Sequence, residues 1–290
     1  MLWFVLALAT AFFNASAATV AKKHFSSYRP WEIGMIPTAY AGLFCLLILP
    51  FIDVPQLNPV FWWAWGLSIP LLLVSLFFQY WAIGLSPLSL TMPYLSFTPA
   101  FVIVTGFLIL GETLNVWGLT GVLSIVCGGY VLNVEPGTGR GLADPLKAVF
   151  REPGSWRMLI TAIIFSLCGV LGRLGVLHSS PLFFALTLFP ALGAAFVLVG
   201  LMTRQARLAN LWKAPGPAIL AGLCITLEII CHHFSISMAK AAYMLAVKRL
   251  NTLISVLYGG LIFKEKNLTV RLAGTTLMIL GVALIGLLGK

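Results

Sequence analysis

Apolar stretches of roughly 20 residues follow one another along almost the whole chain, separated by short segments that carry charges, Pro and Gly. At a rise of about 1.5 Å per residue, a helix of that length crosses a hydrocarbon layer of about 30 Å. A soluble protein would instead show helices with a polar outer face. The pattern therefore predicts an all-α, polytopic membrane protein with ten transmembrane helices, over residues 2–22, 33–50, 60–82, 87–110, 116–134, 157–177, 182–202, 215–236, 240–262 and 268–288.

The longest polar segment, residues 135–156, divides the chain into two five-helix repeats, residues 1–134 and 157–290. A constant shift of 153 positions aligns the two halves, and an odd number of spans per half predicts that the repeats have opposite orientations. The matching residues of the first half are Gly106, Leu108, Ile109, Glu112, Leu119, Gly121 and Gly128, and those of the second half are Gly259, Leu261, Ile262, Glu265, Leu272, Gly274 and Gly281. Pro37 and Pro190 match at the same shift.

Composition supports a lipid environment, since 60% of the residues are hydrophobic and 9% are charged. The net charge is +10, but the 18 basic residues are dispersed and form no stripe of the kind that binds nucleic acid. The five cysteines lie in apolar stretches without paired spacing, which indicates small core residues and neither disulfides nor a metal site.

The segment from Phe101 to Asn133 passes from LILGETL into a Gly-x6-Gly helix, and Leu253 to Gly286 repeats this pattern with FKEKNL in place of LGETL. These two segments resemble the two EamA domains of the drug/metabolite transporter superfamily. The resemblance implies a ten-helix transporter of metabolites or amino acids, often an exporter, with a cavity lined by spans 1, 3, 4, 6, 8 and 9.

The orientation in the membrane has two conflicting indications. Odd-numbered loops hold 13 of the 18 Lys and Arg residues, which by the positive-inside rule places both termini outside. The resemblance implies termini in the cytoplasm. Sequence leaves the orientation open.

The strongest polar signal is the pair Lys248 and Arg249, near the middle of span 9. A cation at the bilayer centre costs about 2.5–3.5 kcal/mol on insertion scales, so we expect both to face the interior and to attract an anionic substrate, or to hold an ion pair or broken-helix carbonyls. Glu228 in span 8 could pair with either cation or bind a proton, and His232 lies one turn later on the same face. One of the adjacent His232 and His233 is expected to pack only.

Further substrate-binding candidates lie in four other spans. Arg173 lies near the end of span 6, where it either snorkels to the interface or forms a gate. Tyr94 lies in span 4 among hydroxyls and two prolines, a composition typical of a cavity wall. Gln79 and Trp81 in span 3 and Asn14 in span 1 complete the set.

Glycines at heptad spacing in spans 5 and 10 predict close helix packing, and Glu112 and Glu265 precede those helices, where a carboxylate stabilises the N-terminus.

These residues favour a secondary transporter, by the resemblance an exporter, that carries an amino acid or organic anion across the cell (inner) membrane by alternating access. The alternative is a membrane-embedded flippase or enzyme subunit acting on lipid or polyprenyl phosphate. Neither catalytic residues nor an ATP-binding loop are recognisable, so we expect no enzyme and no cofactor. The expected partners are a small-molecule substrate, membrane lipid and a proton or counter-substrate, with a homodimer as one possible assembly and no nucleic acid.

Overall fold

The computed structural model describes residues 1–85, 92–132, 153–263 and 268–289, and all regular elements in these ranges are helical. The central loop 135–152, Ser89, Thr91 and Glu265 lie outside them. The α-helices are α1 (Leu2–Phe25), α2 (Pro30–Ile48), α3 (Pro59–Leu85), α4 (Thr98–Leu110), α5 (Val116–Leu132), α6 (Pro153–Leu177), α7 (Pro181–Met202), α8 (Pro215–Met238), α9 (Ala241–Lys248), α10 (Asn251–Phe263) and α11 (Leu268–Leu288).

The predicted all-α polytopic fold is confirmed. Six helices in the described part of the chain, α1–α3 and α6–α8, are long and apolar enough to cross a membrane, and three shorter apolar helices lie at spans 4, 5 and 10. Proline begins α2, α3, α6, α7 and α8, where a missing N–H leaves no helical hydrogen bond unmade. Span 9 differs from the prediction of one helix, because it consists of the two half-helices α9 and α10.

The internal repeat is visible in the helix boundaries. α4 begins at Thr98 and ends at Leu110, and α10 begins and ends 153 positions later. Span 4 is also interrupted at the equivalent place, because a 3₁₀ helix over Met92–Phe97 precedes α4. The two halves therefore share a break in the same helix.

The chain forms two compact units, and each contains elements of both halves. Unit A comprises Leu2–Val74 and Leu171–Met238, and unit B comprises Ser75–Val170 and Ala239–Lys290. α3 and α6 each contribute to both units.

In unit B, the equivalent helices α5 and α11 pack along the glycines that were predicted to allow close approach. A Cβ added at Gly121 would lie 2.8 Å from the carbonyl oxygen of Gly281, and one at Gly128 would lie 2.6 Å from that of Gly274. Because position 121 meets 281 while 128 meets 274, the two helices run antiparallel. The predicted packing role of these glycines is confirmed.

In unit A, α2 and α7 pack in the same way. A Cβ at Gly42 would lie 3.2 Å from the carbonyl oxygen of Phe189, and one at Gly193 would lie 3.1 Å from that of Thr38. Because position 42 meets 189 while 193 meets 38, these two helices also run antiparallel. The alignment of Pro37 with Pro190 stays a prediction.

Candidate functional site

The interrupted span 9 contains the two cations that the sequence singles out. Every residue of α9 from Ala241 to Val247 is buried, none more than 7% exposed. A short apolar helix that is covered on all sides lies inside a helical bundle and does not contact lipid. Protein therefore surrounds the half-helix that leads to Lys248 and Arg249.

At the break, the α-helical hydrogen bonds give way to a tighter turn. The amide of Arg249 donates to the carbonyl of Ala246, and that of Leu250 donates to the carbonyl of Val247, both at 3.0 Å. Lys248 and Arg249 are half-buried at the C-terminus of α9, the end of the helix dipole that carries partial negative charge. The N-terminus of α10, with partial positive charge, follows at Asn251.

A hydrogen-bonded network fixes the beginning of α9. Glu112 Oε2 accepts the backbone N–H of Ala241 at 2.8 Å, and Lys240 Nζ donates to the carbonyl of Thr113 at 2.7 Å. Glu112 was predicted to stabilise the N-terminus of span 5. It stabilises α9 instead, because Gly111 adopts a left-handed conformation (φ 66°) and the chain turns before α5 begins at Val116.

The described part of span 4 is packed within unit B. Tyr94 is buried in a core cluster with Ala82 and Met158. Thr98 Oγ1 donates to the carbonyl of Leu95 at 2.8 Å, and Ser96 lies against Gly129. These three polar side chains contact other residues of the protein, as buried core residues do.

The span 3 candidates lie near the end of α3 in unit B. Gln79 is half-buried and Trp81 is 41% exposed. The guanidinium of Arg157 lies 3.9 Å from the ring centroid of Trp81 and 4.3 Å from that of Trp156. Stacking of a cation between two indole rings is typical of an interfacial anchor, and it occupies one face of Trp81.

In unit A, Glu228 is buried near the middle of α8 and Asn14 is half-buried near the middle of α1. Ser235 Oγ, near the end of α8, donates to the carbonyl of Trp3, near the start of α1, at 2.7 Å. The two helices therefore run antiparallel, and their midpoints lie at similar depth.

The two adjacent histidines have different environments. His233 is buried, its Nδ1 lies 2.6 Å from the carbonyl oxygen of Ile229, and its ring packs against Phe184. His232 is half-buried. His233 has the environment expected of a hydrogen-bonded packing residue, and the role of His232 in substrate binding stays a prediction.

Arg173 is half-buried in the last turns of α6, and its Nη1 donates to the carbonyl of Ile236 at the C-terminus of α8. A guanidinium here compensates the partial negative charge of the helix end. The side chain ties two helices of unit A together.

The nine candidates thus divide between the units. Lys248, Arg249, Tyr94, Gln79 and Trp81 belong to unit B, and Glu228, His232, Asn14 and Arg173 belong to unit A. Pairing of Glu228 with Lys248 or Arg249 stays a prediction.

Sequence reasoning missed Glu32, which is 1% exposed and accepts three hydrogen bonds. The signal was present, since Arg29, Pro30 and Glu32 occupy the N-cap, first and third positions of α2, where a carboxylate commonly caps a helix.

Comparison with known proteins agrees with this architecture. A crystal structure of another protein matches at a TM-score of 0.75 and 17% identity, over 99% of this chain and 96% of that chain, and establishes the fold. No curated protein matches the chain. Residues 1–134 match the EamA-like transporter family. This match lies on the first five-helix repeat and supports the resemblance to EamA-type transporters that the sequence motifs indicate.

Proposed function

We propose that the chain is a secondary transporter that moves a small metabolite with an acidic group, an amino acid or other organic anion, out across the cytoplasmic membrane by alternating access. The observation that carries the proposal is the break between α9 and α10, where Lys248 and Arg249 follow a half-helix that is buried on all sides.

Discontinuous helices provide binding groups at mid-depth in many transporters, because the broken backbone supplies charged helix ends that a continuous helix cannot. Here the N-terminus of α10 and two cationic side chains are adjacent in sequence. All three favour an anion, and the two cations outnumber Glu228, the acidic residue predicted nearby.

Glu228 is suited to the second role that coupled transport requires. It is buried near the middle of α8, where a carboxylate can compensate a cation in one conformation and bind a proton in another. Exchange of a proton for the substrate would couple export to the proton gradient.

The experiment has two stages. Metabolite efflux from a knockout and an overexpressing strain identifies the substrate, and proteoliposomes containing the full chain then measure its transport. We expect Lys248→Ala and Arg249→Ala to weaken apparent substrate affinity by roughly 10- to 100-fold, the value of a charge-assisted hydrogen bond. Arg249→Lys should retain most of the affinity.

Lys23→Ala is the matched control, because Lys23 is exposed at the end of α1. It should leave transport unchanged. Full transport by both Lys248→Ala and Arg249→Ala would refute the assignment of these residues. Accumulation of no metabolite in the efflux screen would count against export.

A further inference from the structure

A polar cleft of about 350 Å³ lies in unit A, at the ends of four long helices. The loop between α1 and α2 forms one side, and the loop between α7 and α8 forms the other. The lining residues are Ser27, Tyr28, Arg29, Glu32, Arg207, Asn210 and Lys213.

Glu32 links the two loops, and its carboxylate is already engaged. Oε2 accepts the backbone N–H of Arg29 at 3.1 Å. Oε1 accepts the backbone N–H of Arg207 at 2.9 Å and Nδ2 of Asn210 at 2.7 Å. The one acidic side chain of the cleft therefore serves to hold its walls together.

The cationic side chains of the cleft have fewer hydrogen-bond partners than Glu32. Arg29 donates from Nη1 to the carbonyl of Arg204. Within the described residues, the guanidinium of Arg207 and the ammonium of Lys213 take part in no hydrogen bond or ion pair. Three cations against one internally bonded carboxylate leave an excess of positive charge, to which the N-terminus of α8 at Pro215 adds.

Adjacent aromatic residues indicate that this end of the helices meets the membrane surface. Trp212 is 67% exposed, and its ring packs edge-on to Tyr40 with centroids 6.2 Å apart. An exposed Trp at the end of a spanning helix is typical of the headgroup region, where phosphate groups are concentrated.

We infer that this cleft binds a phosphate group, from an anionic lipid headgroup or from a soluble phosphate. Arg207 and Lys213 supply the charge, and the hydroxyls of Ser27 and Tyr28 are further donors on the same lining. Glu32 fixes the two loops that form the cleft, and does not contact the ligand.

The test uses the full chain purified in detergent and measures binding alone, independently of transport. Native mass spectrometry follows titration with phosphatidylglycerol, with phosphatidylcholine as the comparison lipid, and calorimetry follows inorganic phosphate. We expect the double variant Arg207→Ala/Lys213→Ala to weaken binding of phosphatidylglycerol, inorganic phosphate or both by roughly 30-fold, as two surface cations predict.

The control, Arg140→Ala/Lys147→Ala, removes the same charge from the central loop and should bind as the unmodified chain does. Arg207→Lys/Lys213→Arg should restore binding, which separates charge from folding. A loss confined to the lipid titration supports a headgroup site, and a loss confined to inorganic phosphate supports a soluble ligand. Equal affinities in the double variant and the unmodified chain, in both titrations, would overturn the inference.

Discussion

At the scale of single residues, two carboxylates of this chain compensate backbone amides far away in sequence. Glu32 accepts the N–H of Arg207, and Glu112 accepts the N–H of Ala241. Charge-assisted bonds of this kind are stronger than those between neutral groups, and a buried amide without an acceptor is costly. Both residues therefore stabilise the connections between helices.

Removing the carboxylate of Glu32 should destabilise unit A. Glu32→Ala leaves the backbone N–H groups of Arg29 and Arg207 and the amide of Asn210 without their acceptor, at a cost of about 2–4 kcal/mol. A lower unfolding temperature of the purified protein, measured by fluorescence, checks this. Asp53→Ala, at an exposed position, is the control, and equal unfolding temperatures for the two variants would contradict the role of Glu32.

At this scale, the sequence points most clearly to residues whose chemistry conflicts with lipid. Lys248, Arg249 and Glu228 stand out because a charge in an apolar stretch is conspicuous. The distant partners of Glu32 and Glu112 were not predictable, since Arg207 and Ala241 lie more than 100 residues away in sequence. Glu112 was assigned to the N-terminus of span 5 because it precedes that helix in sequence. The left-handed turn at Gly111 directs its side chain to the N-terminus of α9 instead.

At the scale of elements, glycine determines how closely equivalent helices pack. A Cβ at Gly128 would lie 2.6 Å from the carbonyl of Gly274 and 2.7 Å from Cγ of Met278. The backbone of α11 cannot move aside as a flexible side chain can. An added methyl group would therefore push α5 and α11 apart.

Gly128→Ala should therefore destabilise the protein, by about 1–2 kcal/mol. Gly66→Ala, in the first half of α3 with no atom within 4 Å of the added Cβ, should be neutral or stabilising by up to about 1 kcal/mol, because alanine favours helix. Thermal unfolding of both variants measures the difference. A Gly128→Ala variant as stable as Gly66→Ala would show that α5 and α11 are not in close contact.

The helices themselves were largely predictable, because apolar length fixes a spanning segment. The break in span 9 was not predictable, since residues 241–250 contain neither Pro nor Gly and their pattern predicts a continuous helix. The equivalent segment of span 4 contains Pro93 and Pro99. The break in span 9 therefore corresponds to a proline-containing break in the other half.

At the scale of the whole molecule, antiparallel packing of equivalent helices recurs in each unit. α2 runs against α7, and α5 runs against α11. Two halves whose equivalent helices point in opposite directions are inverted repeats, the plan that allows alternating access in many transporters. A contact between two loops agrees with inverted repeats. Asn58, just before α3, is hydrogen-bonded to His178, just before α7, at 2.8 Å.

The most direct test of this inverted arrangement places single cysteines in equivalent loops. Gln56, between α2 and α3, and Gln205, between α7 and α8, are both exposed. In a background in which the five native cysteines are replaced, Gln56→Cys and Gln205→Cys are treated with a membrane-impermeant maleimide in intact cells and after permeabilisation. Inverted repeats predict that one of the two reacts in intact cells and the other only after permeabilisation. Reaction of both from the same side would contradict the inverted repeats and, with them, the proposed transport mechanism.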